Sequence, residues 1–118
     1  MHLEKIQAWL KMEEMSEEGI LAALYELTET EARAYFTLLK GPMSVRELCN
    51  RLRKDRTTAQ RVLQRLVHKG LAHRVVEKRN GGGINYVYKP ISLTELKTNM
   101  DRMVDSWGAL VKERIKDI

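Results

Sequence analysis

One cysteine, Cys49, is all that the 118 residues contain, so no disulfide can close within a single copy of the chain. It falls beside Val45, Leu48 and Leu52 at an apolar position of a helix-forming stretch, and is expected to be core rather than a reactive thiol. Long apolar runs are missing too, which excludes a membrane-spanning helix. The N-terminus, MHLEKIQAWLKMEEM, carries acids where a secretion signal needs a basic start and an unbroken apolar stretch. The chain is therefore expected in the cytoplasm and off membranes. Histidine is scarce: His2, His68 and His73 have no metal-ligand spacing with one another or with Cys49, and no Ser, His and Asp set is suggested by order. Asp101 and Asp105 stand one helical turn apart, but Lys97 and Arg102 surround them on what reads as a surface helix. The glycines of NGGG, residues 80 to 83, precede no GKS or GKT and open no helix, which excludes a phosphate loop. Neither an enzyme nor a cofactor or metal site is expected.

What is present is charge, unevenly placed. The net charge is +5, yet residues 1 to 31 hold 8 acids and 2 bases while residues 44 to 89 hold 12 bases and 3 acids. Such a concentration raises the local potential and attracts polyanions, nucleic acid first. With 43% hydrophobic residues the chain suits one compact domain around a single core. A charge run is commonly only a solvated face, so the arrangement inside the basic segment has to decide.

Helical spacing organises most of the chain. Leu3, Ile6, Trp9 and Leu10 form a stripe over residues 3 to 12 that needs a partner surface. Ser16 can cap a second helix, with Glu17 and Glu18 in its first turn and Ile20, Leu21, Leu24 and Leu27 facing inward. Thr28/Glu31, Ser44/Glu47 and Ser92/Glu95 each have the spacing of a reciprocal capping box. The first opens a helix with Ala32, Tyr35, Phe36, Leu38 and Leu39 as buried candidates and Gly41-Pro42 as its stop. The second opens SVRELCNRLRK; after a short break, Asp55 can cap a helix that ends at Gly70. From Leu71 the period changes to that of strands, and AHRVVEKR and INYVYKP around NGGG predict a β-hairpin. Tyr86 and Tyr88 alternate onto one of its faces and are expected against the core. In the last segment Leu93, Leu96, Met100, Met103, Trp107 and Leu110 recur at heptad spacing, with Val104, Val111 and Ile118 widening the stripe. A helix this long in so small a domain predicts a homodimer interface, carried by Leu96, Met100, Met103, Trp107, Leu110 and Val111. The divisions expected are residues 1–27 for N-terminal packing helices, 28–91 for the central domain and 92–118 for dimerisation.

The helix KDRTTAQRVLQRLVHKGL has two faces. At about 100° per residue, Ala59, Val62, Leu63, Leu66 and Val67 fall on one side, and Thr57, Arg61, Gln64, Arg65 and His68 on the other, with Thr58 and Gln60 on the flanks and Arg56 in the first turn. No acid occurs from Arg56 through Lys69. Glu and Lys would keep a helix soluble and add stabilising pairs; Arg, Gln and Thr instead suit guanine, adenine and the thymine methyl in a major groove. The helix N-terminus also offers amides to phosphate oxygens. Thr57, Gln60, Arg61 and Gln64 are the expected base readers. Ser44, Arg46, Arg51, Arg53 and Lys54 are the expected backbone clamps, and Lys78, Arg79 and Asn80 at the hairpin tip are placed to reach a flanking minor groove.

Helix, turn, helix and hairpin together resemble the winged helix-turn-helix fold, mainly α with a small β-hairpin. More closely, LTETEARAYFTLLKGPMSVRELCNRLRKDRTTAQRVLQRLVHKGLAHR resembles the DNA-binding domain of TrmB/MarR type regulators, particularly short archaeal ones. The likeness lies in the Leu-Thr-x-x-Glu-Ala opening, in the step from Leu38 to Leu48, in Arg56, Thr58, Arg61, Leu63 and Leu66, and in Lys69 to Leu71. It implies a homodimer on double-stranded operator DNA that regulates transcription. The large C-terminal sugar-binding domain of full-length TrmB-like proteins has no counterpart in these 118 residues, so no sugar effector is inferred, and no other effector is assigned. A rival reading is a winged helix used for protein contact in a transcription or replication assembly. The acid-free outward face of 56–69 argues against it.

Overall fold

The computed structural model describes residues 16–78 and 81–118. The helix expected over 3 to 12, and Arg79 and Asn80, lie outside the described residues. The elements run α1 (Glu17–Tyr25), α2 (Glu29–Leu38), α3 (Val45–Leu52), α4 (Arg56–His68), β1 (Ala72–Lys78), β2 (Ile84–Pro90) and α5 (Leu93–Ile115). This is a winged helix-turn-helix, mainly helical with one antiparallel hairpin.

Side-chain caps set where the helices begin. Ser16 Oγ accepts the Gly19 amide at 3.0 Å, and both halves of the box form at Thr28/Glu31 and at Ser44/Glu47. At Ser92 the forward half forms, Glu95 N–H to Ser92 Oγ at 3.1 Å. Positive φ ends α1 at Glu26 and α3 at Arg53, both at 55°; left-handed backbone of this kind costs a residue with a Cβ about 1–2 kcal/mol. The Arg53 bend swings the chain from α3 into α4 within three residues, which is the turn of the helix-turn-helix.

The hairpin pairs Val75 with Val87 and Val76 with Tyr86. Its base gains a further bridge that the sequence pattern does not announce: Met43 N–H donates to Tyr88 O at 3.1 Å and Tyr88 N–H to Met43 O at 2.7 Å. The segment between α2 and α3 is thereby tied to the wing.

One core joins these parts. Leu21, Tyr35, Leu38, Leu48, Leu63, Leu66, Leu71 and Leu96 are fully buried within it, so α1 contributes to the same core as the central helices. Several expected core positions shift. In α2 the inward arc is Ala32, Ala34, Tyr35 and Leu38, which leaves Phe36 half-buried, edge-to-face with Tyr35 at 5.4 Å, and Leu39 at the surface. Ile20 and Leu24 are half-buried. Cys49 is not core: it is half-buried near the end of α3, where its thiol donates to Lys54 O at 2.8 Å. Along α5 only Leu96 is buried; Met100, Met103, Trp107 and Val111 are half-buried and Leu110 is exposed.

Tyr35 ties α2 to the start of α5. Its ring is fully buried and its hydroxyl donates to Ile91 O at 2.9 Å. Burial, with the nearby Tyr25 and Glu95 adding to it, pushes the phenol up to about 12. Because the folded value lies above the ordinary value of 10.0, this contribution to stability is complete below pH 10 and is lost as pH rises toward 12. A shift of this size corresponds to about 2–3 kcal/mol. Denaturant titrations at pH 9 and pH 12 should show that loss, and Tyr35→Phe should reduce it while costing about 1 kcal/mol at neutral pH through the stranded Ile91 carbonyl. Tyr25 is raised as well, by burial, against a hydrogen bond with Asn99, so part of the alkaline loss should survive in the variant.

Candidate nucleic-acid interface

Helix α4 is held by its apolar side and capped at its start. Ala59, Val62, Leu63 and Leu66 are buried against the core, while Val67, expected among them, is 39% exposed. The opposite side carries Arg56, Thr57, Gln60, Arg61, Gln64 and His68, all exposed, with Thr58 half-buried. Burial on one side thus presents the other to solvent as a rigid ridge, which is what insertion into a groove requires.

One expectation holds here and one changes. Asp55 accepts the Thr58 amide at 2.7 Å, and that hydrogen bond above all holds its carboxyl below the usual carboxylate range. The Asp55 carboxylate thus takes the Thr58 amide at the start of α4, the cap that the sequence predicts there. Arg65 shares the angular sector of Arg61 but is drawn into the fold. Its Nη2 donates to Glu26 O at 3.3 Å and its Nε lies 3.8 Å from Glu31 Oε1, which staples α4 to the turn between α1 and α2.

The expected clamps lie at both ends of α3 and at the start of α4. Arg46, Arg51, Arg53, Lys54 and Arg56 are exposed, and Ser44 is half-buried with its hydroxyl accepting the Glu47 amide at 3.2 Å. A cleft of 440 Å³ runs between the start of α3, Arg56 and the Ile84–Tyr86 stretch of β2. A second, of 430 Å³, separates Gln60, Gln64 and Val67 of α4 from Arg74 and Tyr88 of the hairpin. The wing therefore stands beside the outward ridge of α4 with open space on either side of their junction. Lys78 is exposed at the end of β1.

Tyr86 departs from its expected place. Tyr88 is buried, but Tyr86, two residues further out on the same face, is 44% exposed and lies under the Arg74 guanidinium, 4.5 Å from ring centroid to Cζ. Val67, Arg74 and Tyr86 were not among the expected interface residues. The signal available for the last two was the strand alternation, which puts Arg74 on the face of the two tyrosines. Among the described residues no group of His, Cys, Asp and Glu is arranged to hold a metal ion, and no helix is long and apolar enough to cross a membrane.

The family pattern described as "Sugar-specific transcriptional regulator TrmB" matches residues 21–94, from within α1 to the start of α5. The chain belongs to the TrmB family. As a TrmB-family member it is a transcriptional regulator and not an enzyme. Two proteins of Methanocaldococcus jannaschii resemble this TrmB-family chain over most of its length. Uncharacterized protein MJ1082 is 33% identical over 106 residues, covering 87% of this chain and 86% of its own. Uncharacterized protein MJ1503 is 28% identical over 102 residues, covering 86% and 77%. Two solved archaeal structures share the fold. A possible transcriptional regulator from Methanosarcina mazei Go1 superposes with a TM-score of 0.76 at 23% identity, over 87% of this chain and 88% of that one. The ST1889 protein from Sulfolobus tokodaii gives 0.66 at 17% identity, over 80% and 94%.

Proposed function

We propose that this TrmB-family regulator binds double-stranded DNA sequence-specifically as a homodimer, with α4 in the major groove. The observation that carries the reading is the outward side of α4: exposed, acid-free from Arg56 to His68, and built of Arg, Thr and Gln on a helix anchored by its opposite side. Thr57, Gln60, Arg61 and Gln64 read base edges. Ser44, Arg46, Arg53, Lys54 and Arg56 hold the phosphate backbone. The wing, with Lys78 and the tip residues Arg79 and Asn80, follows the flanking backbone or minor groove. Arg65, engaged with Glu26 and Glu31, is left out of the reading set.

Two substitutions separate reading from positioning. Arg61→Ala should lose roughly 1–3 kcal/mol on the preferred duplex and relax preference at one base pair. Arg53 is best replaced by glycine, since its φ of 55° suits a residue without Cβ; Arg53→Gly should weaken all duplexes alike. Titration of labelled duplexes chosen from a random pool measures both. If neither change alters binding to any duplex, the assignment of this face is wrong and a protein-docking role takes its place.

The dimer is supported by α5, whose apolar stripe continues through Met103, Trp107 and Leu110 beyond Leu96, the one α5 residue buried in the core. A second copy would bury that stripe and set two α4 helices about 34 Å apart on a partly palindromic site. Trp107→Ala should weaken association by ~2 kcal/mol or more, measured by sedimentation equilibrium. A wild type that sediments as a monomer at micromolar concentration overturns the dimer.

A further inference from the structure

We infer that the wing grips DNA through an apolar face as well as through its basic tip: Ile84 and Tyr86 pack on the sugar rings of the strand flanking the α4 footprint, while Arg56 and Arg74 meet the adjoining phosphates. The inference rests on the reading of α4 as a major-groove helix and extends it to Arg74, Ile84 and Tyr86, which that reading does not use.

In the hairpin register Arg74, Val76 and Lys78 share one face with Ile84, Tyr86 and Tyr88. Near the base that face is closed by the buried Tyr88, but further out Tyr86 is 44%, Val76 55% and Ile84 64% exposed. A single exposed apolar residue needs no explanation. Here three adjoin, with Val76 directly opposite Tyr86. The face is turned toward the proposed DNA side, because Ile84 and Tyr86 form one wall of the cleft whose other wall is Ser44, Arg46 and Arg56.

Cationic side chains on one wall of this cleft thus face apolar ones on the other, and Arg74 adds a cation beside Tyr86. A DNA strand carries both kinds of partner side by side, anionic phosphates and largely apolar deoxyribose rings, so a strand laid in the cleft can meet both walls. Glu77, the one acid of the hairpin, sits opposite Asn85 on the other face and does not interrupt the series. The Arg74 guanidinium over the Tyr86 ring holds that ring in place before contact, which lowers the ordering cost of binding. At the tip, Gly81, Gly82 and Gly83 have φ of 93°, 88° and 112°, and nothing lies within 4 Å of where a Cβ would stand. Gly81 to Gly83 therefore add no side-chain bulk where the chain enters β2.

The test uses the full chain and two duplexes with one core sequence, the first ending at the α4 footprint and the second extended by about one helical turn, roughly ten base pairs, at each end. Ile84→Thr combined with Tyr86→Thr removes the apolar surface but keeps strand-forming residues at exposed positions, so the melting temperature should hold. The double variant should bind the extended duplex about tenfold more weakly than wild type and the short duplex equally well. Its log-log salt slope should be unchanged, because no cation is removed. Arg61→Ala should lose affinity on both duplexes. Wild-type affinity of the double variant for the extended duplex, or an equal loss on both, overturns the wing inference and leaves the α4 reading standing. A wild type that binds neither duplex overturns both.

Discussion

Raising the salt concentration from 50 to 200 mM is expected to weaken duplex binding by about a thousandfold per half-site. The figure follows from counting cations free to meet phosphate. Arg46, Arg51, Arg53, Lys54, Arg56 and Lys78 are exposed around the α3–α4 turn and the wing. Arg61 is assigned to a base edge, Arg65 is already paired with Glu31, and Arg74, inferred to meet a flanking phosphate, enters the count only on an extended duplex. About six phosphates then release their counterions, giving a log-log slope of roughly −5. The acids of residues 44–89 do little to offset this. Glu47 closes the capping box with Ser44, Asp55 is bonded to the Thr58 amide, and Glu77 lies on the far face of the hairpin. Fluorescence anisotropy over a salt series gives the slope directly. A slope near zero would mean that this basic surface is not laid on phosphate, and the protein-docking alternative would replace the DNA reading. Arg53→Gly should make the slope shallower by about one, whereas Arg61→Ala should change affinity more than slope.

The parts of this surface that sequence could reveal are those set by local rules. Helix starts were legible because Ser16, Thr28, Ser44 and Asp55 bond amides three residues on, a relation that spacing alone displays. The two sides of α4 were legible because a 3.6-residue period separates them. What spacing cannot display is the neighbour that each side chain meets. Arg65 and Arg61 are equivalent by angle, and only the folded α1–α2 turn brings a carbonyl and a carboxylate to Arg65. Tyr86 and Tyr88 are equivalent by alternation, yet the Met43 bridge closes the core at Tyr88 and leaves Tyr86 beyond its edge. Cys49 sits in an apolar helical pattern, but α3 buries only Leu48 and Leu52, and the bend at Arg53 brings the Lys54 carbonyl to the thiol. The exposure of side chains was accordingly legible along α4 and less so along the hairpin, where packing decides what is exposed.

Leu63→Ala is expected to destabilise the protein by about 2–5 kcal/mol, a large part of the roughly 5–15 kcal/mol typical of a domain. Leu63 is fully buried on α4, directly behind the outward face. Helix α4 packs against α3, α2 and β1, so a cavity at Leu63 loosens the side by which α4 is held. The same core cluster holds Leu38, Leu48 and Leu66, each without solvent exposure, and dense packing of that kind limits how far the site can collapse to recover the loss. Leu63→Met keeps the volume and should cost under about 1.5 kcal/mol. Urea titration measures both variants, and a cost for Leu63→Ala no greater than that for Leu63→Met would show that α4 is not anchored by this contact. The same pair of variants tests the link from packing to binding. Well below its unfolding midpoint, Leu63→Ala should bind the preferred duplex with nearly the wild-type salt slope, because no cation has been removed. Its apparent affinity should fall away at a lower temperature than that of wild type, as the fraction of folded protein able to present Thr57, Gln60, Arg61 and Gln64 declines. A rigid apolar anchor on one side of α4 is thus what lets four short and long polar side chains on the other side act as a single surface.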